Sequence, residues 1–445
     1  MSGNLMELKG SKALVIGMGK SGEAAGEALV SLGATVYPYD DNKPGFYNRE
    51  TLPGLSWDIA VVSPGVPLDI PIIASMREGG TEIIGELELA YRIGKGRFIA
   101  ITGTNGKTTT TALTGNIFSE LGEDSVTAGN IGNPVVTEAL KARETTWLIT
   151  EVSSFQLETI AFFKPVASAI LNLTPDHLDR HGDMKGYGAA KARIFENQGP
   201  DDSLVYNFDD PLVRALASDC KASLFPFSRK EGLEKGVYLR NGRIILADPE
   251  YGYNHMDLMG ADEIPIPGAH NLENTLAAAA IAYSAGLAPE RIPAGIRSFP
   301  GVAHRLEAVA EIGGVKYIND SKGTNPDASI KAVEAMDPGI ILIAGGYDKQ
   351  ADYRDWIRAF GGKVKKLILM GKTAPAIRAV AEAEGFSALT LCENMKECVD
   401  LASRIAEPGD TVLLSPACAS WDMYKRFEDR GDDFKACVEG LREKP

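Results

Sequence analysis

The sequence predicts an α/β protein of three domains built on parallel sheets, and three observations support this prediction. Short runs rich in Val, Ile and Leu recur, each followed by a turn and a helix-like segment, as in parallel sheets covered by helices. The 445 residues exceed what one core usually serves, since domains average about 100–200 residues. Two glycine-rich loops follow strands in separate parts of the chain. The predicted strands include residues 13–16, 59–62, 98–101, 147–149, 167–171, 340–344, 367–370 and 411–414.

Domain boundaries are expected where a new succession of strands begins. Glycines at 94 and 96 directly precede the strand that leads into the second glycine-rich loop. An Ala-rich segment, 276–285, is predicted as a helix and is followed after residue 299 by new strands. We therefore expect domains at residues 1–94, 95–299 and 300–445.

Composition excludes several classes of protein. No stretch approaches the roughly 20 apolar residues of a membrane span, and residues 1–12 lack the pattern of a signal peptide. We expect a cytoplasmic protein with no membrane partner. The net charge of −14 argues against nucleic acid as a partner. The five cysteines never form a CxxC pair, so neither a disulfide framework nor a zinc site is expected.

The first glycine-rich loop, residues 17–22, has Rossmann-like spacing. It lies between a predicted strand and a helix, and the next strand ends at Asp40. Glycines let a pyrophosphate approach the helix N-terminus, and a carboxylate about 20 residues further on can hold a ribose hydroxyl. NAD fits this pattern, and a uridine diphosphate offers the same chemical groups. A compact turn without a ligand is a third interpretation, and the loop alone leaves all three open.

The second glycine-rich loop, residues 102–109, predicts a P-loop-type ATP site. Its backbone N–H groups can surround phosphates, Lys107 can neutralise the transferred group, and the Thr108 hydroxyl can bind Mg²⁺. The general P-loop pattern has a glycine where Ile101 stands, so a loop counted from Gly103 is two residues shorter. The alternative is a polar turn with a chance Gly-Lys-Thr run.

Further polar residues follow predicted strands of the same region. Glu151 lies at the carboxyl end of a strand, where open α/β sheets place ligands, and is a candidate metal ligand. His177 lies in the polar segment 172–181 after another strand, although Mg²⁺ prefers oxygen ligands. Lys191, judged from composition alone, looks like an exposed helix lysine.

Eight ordered motifs resemble those of the Mur ligases, most closely the D-glutamate-adding members, over nearly the whole chain. They are residues 103–109, 151–158, 176–179, 188–195, 268–271, 304–307, 319–325 and 415–420. The resemblance implies a Rossmann-like N-terminal domain for a UDP sugar, a central P-loop-type ATPase domain and a Rossmann-like C-terminal domain. It also implies ligation of D-glutamate to UDP-N-acetylmuramoyl-L-alanine in peptidoglycan synthesis, through an acyl phosphate, with ATP and Mg²⁺. We expect a monomer.

The resemblance further implies roles for individual residues. The implied catalytic residues are Lys107, Glu151, His177 and Lys191. The implied metal ligands are Thr108, Glu151, His177 and a carbamylated Lys191. ATP would be bound by Gly103, Thr104, Asn105, Gly106, Lys107, Thr108, Thr109, Asn271, Asn274, Arg305 and Asp320. The UDP sugar would be bound by Gly19, Lys20, Ser21, Asp40, Asp41, Asn42, Ser63, Gly65, Asn130 and His177. D-Glutamate would be bound by Lys322, Thr324, Lys349, Ser420 and the backbone at Phe427.

Alternatives remain at this level. Asn271 could instead be the N-cap of the Ala-rich helix. The nearest alternative activity is another amide ligase of the same family, including one that builds folylpolyglutamate, although residues 415–428 favour the D-glutamate member. Alternatives of other classes are a nicotinamide-dependent oxidoreductase, suggested by the first glycine loop, and a non-catalytic nucleotide-binding regulator.

Overall fold

The computed structural model describes residues 8–130, 132–347 and 351–442 and contains three sheets. Within these residues, 8–265 and 272–299 form one compact unit, which holds the first two sheets. Residues 266–271 and 300–442 form the other, which holds the third.

The first sheet has four parallel strands in the order β2-β1-β3-β4. Apart from the exposed Lys12, its central strands β1 and β3 consist of buried aliphatic residues, which suits strands covered on both faces. The elements are β1 (Lys12–Ile16), α1 (Lys20–Ser31), β2 (Thr35–Tyr39), β3 (Ile59–Val62), α2 (Pro71–Glu78), β4 (Glu82–Gly85) and α3 (Glu86–Ile93).

The second sheet has nine strands in the order β13-β12-β11-β10-β9-β8-β5-β7-β6. Pairing is parallel from β6 to β11, and β12 and β13 continue the sheet as antiparallel strands. The elements are β5 (Arg97–Thr102), α4 (Lys107–Glu120), β6 (Ser125–Gly129), α5 (Val135–Ala139), β7 (Trp147–Glu151), α6 (Ser154–Leu157), β8 (Ala167–Ile170), α7 (Leu178–His181), α8 (Met184–Ala192), β9 (Ser203–Asn207), α9 (Pro211–Ala217), β10 (Ser223–Ser228), β11 (Gly236–Arg240), β12 (Arg243–Asp248), β13 (Tyr253–Gly260), α10 (Ala269–Ser284) and α11 (Ile292–Arg297).

The third sheet has six strands in the order β14-β15-β19-β16-β17-β18, with the edge strand β14 antiparallel and the others parallel. The elements are β14 (Glu307–Ile312), β15 (Val315–Asn319), α12 (Pro326–Ala335), β16 (Ile340–Ala344), α13 (Arg354–Arg358), β17 (Val364–Leu369), α14 (Ala374–Ala383), β18 (Leu389–Leu391), α15 (Met395–Ile405), β19 (Thr411–Leu414) and α16 (Phe427–Arg442).

The three sheets confirm the predicted α/β fold class with three domains. The domain boundaries after residues 94 and 299 stay a proposal. The Ala-rich helix is longer than predicted, because α10 begins at Ala269 rather than near residue 276. Of the helices in the described ranges, none combines the length and apolarity that a membrane span needs.

Candidate functional site

The first glycine loop forms a tightly packed turn between β1 and α1. Gly17 has a φ of 86°, and its carbonyl accepts a hydrogen bond from Ser63 Oγ at 2.5 Å. A Cβ on Gly22 would lie 2.0 Å from the same carbonyl oxygen, so only glycine fits there. Gly19 precedes α1, Lys20 and Ser21 begin it, and Gly65 follows β3.

Acidic residues after β2 fix the conformation of this region. The Asp40 carboxylate accepts hydrogen bonds from the N–H groups of Met18 and Asn42, both at 2.9 Å. Asp41 accepts from the Tyr39 hydroxyl at 2.7 Å. Burial, together with this bond to Asp41, raises the pKa of Tyr39 to about 12. The structure therefore brings Asp40 into contact with the first glycine loop. Asp41 and Asn42 follow Asp40 directly in the sequence.

The second glycine loop is bonded to the segment that follows β8. Asn105 N–H donates to Asn172 Oδ1 at 2.8 Å, and Asn172 Nδ2 donates back to the Asn105 carbonyl at 3.0 Å. Lys107 begins α4, and its Nζ donates to the carbonyls of Gly103 and Thr104, both at 2.8 Å. This ammonium group therefore lies over the loop, where it can meet a bound phosphate.

Asn274 in α10 packs against the start of α4. Its Oδ1 accepts a hydrogen bond from Thr110 Oγ1 at 3.3 Å, and a Cβ on Gly106 would lie 2.3 Å from that oxygen. Gly106 also has a φ of 84°, which favours glycine. Thr108 and Thr109 are buried in the first turn of α4. The predicted ATP residues 103–109 and Asn274 are thus neighbours.

Glu151 presents a buried carboxylate oxygen suited to a cation. It is the last residue of β7, as the sequence predicts, and its Oε1 accepts from Asn130 Nδ2 at 2.9 Å. Its Oε2 is buried and has no hydrogen-bond partner among the described residues. Since a buried unpaired carboxylate oxygen is costly, this atom fits a metal ligand. The structure brings Asn130 and Glu151 together.

Lys191 is buried, so the interpretation of an exposed helix lysine is wrong. Its side chain is 1% exposed, and its Nζ lies 3.0 Å from the Gly103 carbonyl and 4.6 Å from the Tyr187 ring centroid. Burial, with repulsion from Lys107, lowers the pKa of Lys191 to about 7. Composition could not reveal this position, because it depends on contacts about 90 residues apart in sequence.

His177 is more exposed than the other predicted site residues of this region. It precedes α7 with a φ of 51°, its side chain is 48% exposed, and its ring lies 4.8 Å from that of Phe155. The described ranges contain no group of three or more His, Cys, Asp or Glu side chains placed to hold a metal. The predicted metal ligands are Glu151, His177, Thr108 and Lys191. Of these four, just Glu151 and His177 belong to the residue types that such a group would contain.

The second compact unit contains Asn271, Arg305 and Asp320. Asp320 is buried, accepts from Ser415 Oγ at 2.8 Å, and has a pKa raised to about 6 by burial. Arg305 Nε is buried and has no hydrogen-bond partner within the described part of the chain. Asn271 lies inside α10 and donates to the Pro267 carbonyl at 2.6 Å. Its alternative interpretation as a helix N-cap is therefore wrong.

Two loops of the third sheet hold the predicted amino-acid residues. Ser420 is buried in the loop after β19, and Lys322 and Thr324 lie in the loop after β15. The Lys322 Nζ lies 5.8 Å from the Phe427 ring, and the Phe427 carbonyl accepts from Ser321 Oγ at 2.7 Å. Lys349, also predicted for D-glutamate, lies outside the described residues.

Arg430 is a residue that the sequence analysis missed. Its buried guanidinium donates to the Ser321 carbonyl at 2.9 Å and to the Cys418 carbonyl at 3.1 Å, one in each of these two loops. Asn172, which bonds to the second glycine loop (called the phosphate loop below), was also missed as an individual residue. Its position after a predicted strand was the available signal, whereas Arg430 lies in a helix rich in charged residues and gives none.

Comparison with known proteins identifies the family. Residues 101–282 match the Mur ligase middle domain, and residues 304–418 match the Mur ligase glutamate ligase domain. A UDP-N-acetylmuramoylalanine--D-glutamate ligase of Thermoanaerobacter sp. (strain X514) is 47% identical, over 98% of this chain and 100% of the relative. The chain belongs to the Mur ligase family. The middle-domain match of this Mur ligase includes Lys107, Glu151 and Lys191.

Solved structures agree with this Mur ligase in fold. The UDP-N-acetylmuramate-alanine ligase MurC of Thermotoga maritima has a TM-score of 0.63 at 19% identity, over 97% of this chain and 100% of that chain. FolC of E. coli, in complex with DHPP and ADP, has a TM-score of 0.57 at 16% identity, over 78% of this chain and 89% of that chain. At these identities the likeness concerns the fold alone.

Proposed function

We propose that this Mur ligase uses ATP to join D-glutamate to UDP-N-acetylmuramoyl-L-alanine in peptidoglycan synthesis. The observation that carries the proposal is the full-length likeness to a ligase named for these compounds. The second glycine loop supports it, since Lys107 lies over this loop and Glu151 ends the strand that pairs with β5, which leads into the loop. A cytoplasmic location and a monomeric state remain predictions.

The proposed reaction begins with activation of the substrate carboxylate, because an amine does not displace an oxide ion. Lys107 neutralises charge on the γ-phosphoryl group as it moves to that carboxylate, forming an acyl phosphate. The amine of D-glutamate then attacks the acyl carbon, and phosphate leaves. Arg305 Nε is buried and has no hydrogen-bond partner among the described residues, which suits contact with a phosphate oxygen.

Mg²⁺ would be held by Thr108, Glu151, His177 and a carbamylated Lys191. The unpartnered Oε2 of Glu151 fits such a site, whereas the amine of Lys191 fits only after conversion to a carbamate. When bound, the cation supplies positive charge that stabilises the transferring phosphoryl group. Asn130 holds the other oxygen of Glu151 and so fixes the direction of the free one.

The proposed function is tested by phosphate release in the presence of UDP-N-acetylmuramoyl-L-alanine and a panel of L- and D-amino acids. We expect release only with both co-substrates present, and with D-glutamate far above the other amino acids. Release with L-lysine or diaminopimelate instead would assign the chain to another member of the family. Release with folate substrates would assign it to the folylpolyglutamate builders, and no release at all would favour a regulator.

We assign the first glycine loop to the diphosphate of the UDP sugar, with Gly19, Lys20, Ser21, Asp40, Asp41, Asn42, Ser63 and Gly65 around it. Calorimetry is expected to show binding of the UDP sugar and of UDP, and none of NAD. The Asp40 carboxylate accepts two backbone N–H groups, one of them from Met18 in this loop. NAD binding at millimolar or lower concentration, displaced by the UDP sugar, would overturn it.

We assign the two carboxylates of D-glutamate to Lys322, Thr324, Lys349, Ser420 and the backbone at Phe427. Replacing Ser420 with alanine is expected to lower kcat/KM for D-glutamate about 5- to 150-fold, the effect of losing one buried donor worth roughly 1–3 kcal/mol. The matched control is Ser403→Ala, whose hydroxyl donates within α15 to the Asp400 carbonyl at 3.0 Å. Steady-state kinetics with varied D-glutamate measures both, and an unchanged kcat/KM in Ser420→Ala contradicts the assignment.

A further inference from the structure

Helix α3 carries two buried carboxylates that bind backbone N–H groups of the central sheet region. Glu86 Oε1 accepts from Val136 N–H at 2.6 Å, at the start of α5. Glu88 accepts from the N–H groups of residues 161–163, and it also pairs with Arg92 at 2.7 Å. The two residues are neighbours on one helix, but they hold different segments of the chain.

The segment held by Glu86 contacts the first glycine loop and the carboxylate of Glu151 at the end of β7. We define the bridge segment as Gly129, Asn130 and residues 132–136. The carbonyl of Gly132 accepts a hydrogen bond from Nζ of Lys20, in the first glycine loop. Asn130 Nδ2 donates to Glu151 Oε1 at 2.9 Å, and Gly129 N–H donates to the Asn133 carbonyl at 2.9 Å. Lys20 and Asn130 are therefore linked through the segment whose far end Glu86 holds.

Holding the start of α5 with the Glu86 carboxylate costs free energy, because the charged group is removed from water. Its side chain is 2% exposed, and the structure gives it backbone N–H partners rather than a cation. Burial raises the pKa of Glu86 to about 7, and the N–H groups of Val135 and Val136 act in the opposite direction. A buried carboxylate is poor evidence for stability by itself, so its geometry calls for a role in positioning.

We infer that Glu86 is a positioning residue for the UDP-sugar substrate. By fixing the start of α5 it fixes the bridge segment, and Lys20 and Asn130 then face the sugar nucleotide in a set arrangement. The identity of the substrate in this inference rests on the proposed function; the mechanical link from Glu86 to the bridge segment does not.

The test compares Glu86→Gln with Glu88→Gln, two isosteric changes on the same helix. Glu86→Gln is expected to raise KM for the UDP sugar at least about fivefold, because a neutral acceptor replaces a charged one, with KM for ATP changed less than about twofold. Glu88→Gln is expected to lower Tm at least as much as Glu86→Gln does, since it also weakens the ion pair with Arg92. It is expected to leave the KM values for the UDP sugar and for ATP unchanged. Equal KM effects in the two variants, or none in Glu86→Gln, would overturn the inference.

Hydrogen exchange of the free protein separates this inference from the proposed function. Glu86→Gln is expected to speed exchange of the amides of residues 132–139, and Glu88→Gln that of residues 161–163. Unchanged exchange at 132–139 in Glu86→Gln would overturn the inference whatever the substrate. Faster exchange there, in a protein whose unmutated form does not bind the UDP sugar, would instead refute the proposed substrate.

Discussion

Replacing Lys107 with alanine is expected to abolish ligation while the protein stays folded. The Nζ of Lys107 lies over the phosphate loop, bonded to the carbonyls of Gly103 and Thr104. Those carbonyls repel a phosphate, so the ammonium group is needed to compensate charge there. Removing one preorganised donor from a developing charge costs about 10²–10³-fold in kcat, and a cation on the transferred phosphoryl group is expected to cost at least that much.

The measurement is single-turnover phosphate release, with circular dichroism and Tm to establish folding. Lys141→Ala is the matched control, because Lys141 belongs to the same sheet region and its side chain is 65% exposed. The control is expected to keep full activity. A folded Lys107→Ala protein with near-normal turnover would remove Lys107 from the reaction.

The fold was predictable because its main signal is local. Strands such as β3 and β16 consist of consecutive buried aliphatic residues, and that pattern is visible in the sequence without any tertiary information. The start of α10 was placed too late because residues 269–275, apart from Leu272, are polar or small and lack the apolar repetition of the segment after them. Helix ends depend on capping and packing rather than on periodicity.

The candidate site was predictable only in part, for a physical reason. Glu151 ends β7, and Lys107 follows β5 after one short loop, so the sequence places both at the carboxyl edge of the sheet. Arg430 acts by bonding to backbone atoms of loops far away in sequence, and such bonds leave no local pattern. Tyr187 could not be recognised either: it lies one helical turn before Lys191 in α8, but this spacing does not reveal that both side chains are buried.

Lys191 presents the clearest difference between its sequence context and its environment. An unmodified ammonium group would repel Mg²⁺, and the buried site disfavours the charged form, which is why the pKa of Lys191 falls to about 7. A neutral amine can attack the carbon of carbon dioxide: an N–C bond forms, one C–O π pair moves to oxygen, and the amine loses a proton. The product is a carbamate, whose oxygens are of the kind that Mg²⁺ prefers. We propose that Lys191 acts in this form.

Lys191→Ala is accordingly expected to be folded and inactive, and a small carboxylic acid such as acetate or formate is expected to restore part of its turnover. The added carboxylate can enter the space that the side chain leaves, between Tyr187 and the Gly103 carbonyl. Lys191→Arg is expected to be inactive and not rescued, since the guanidinium fills that space and stays charged.

Lys185→Ala is the matched control, because Lys185 is an exposed lysine of the same helix and should be dispensable. Phosphate release with and without added acid is measured for the three variants and the unmutated protein. Near-full activity of Lys191→Ala without acid would exclude the carbamate, and equal stimulation of the Lys185→Ala protein would show that the acid acts elsewhere.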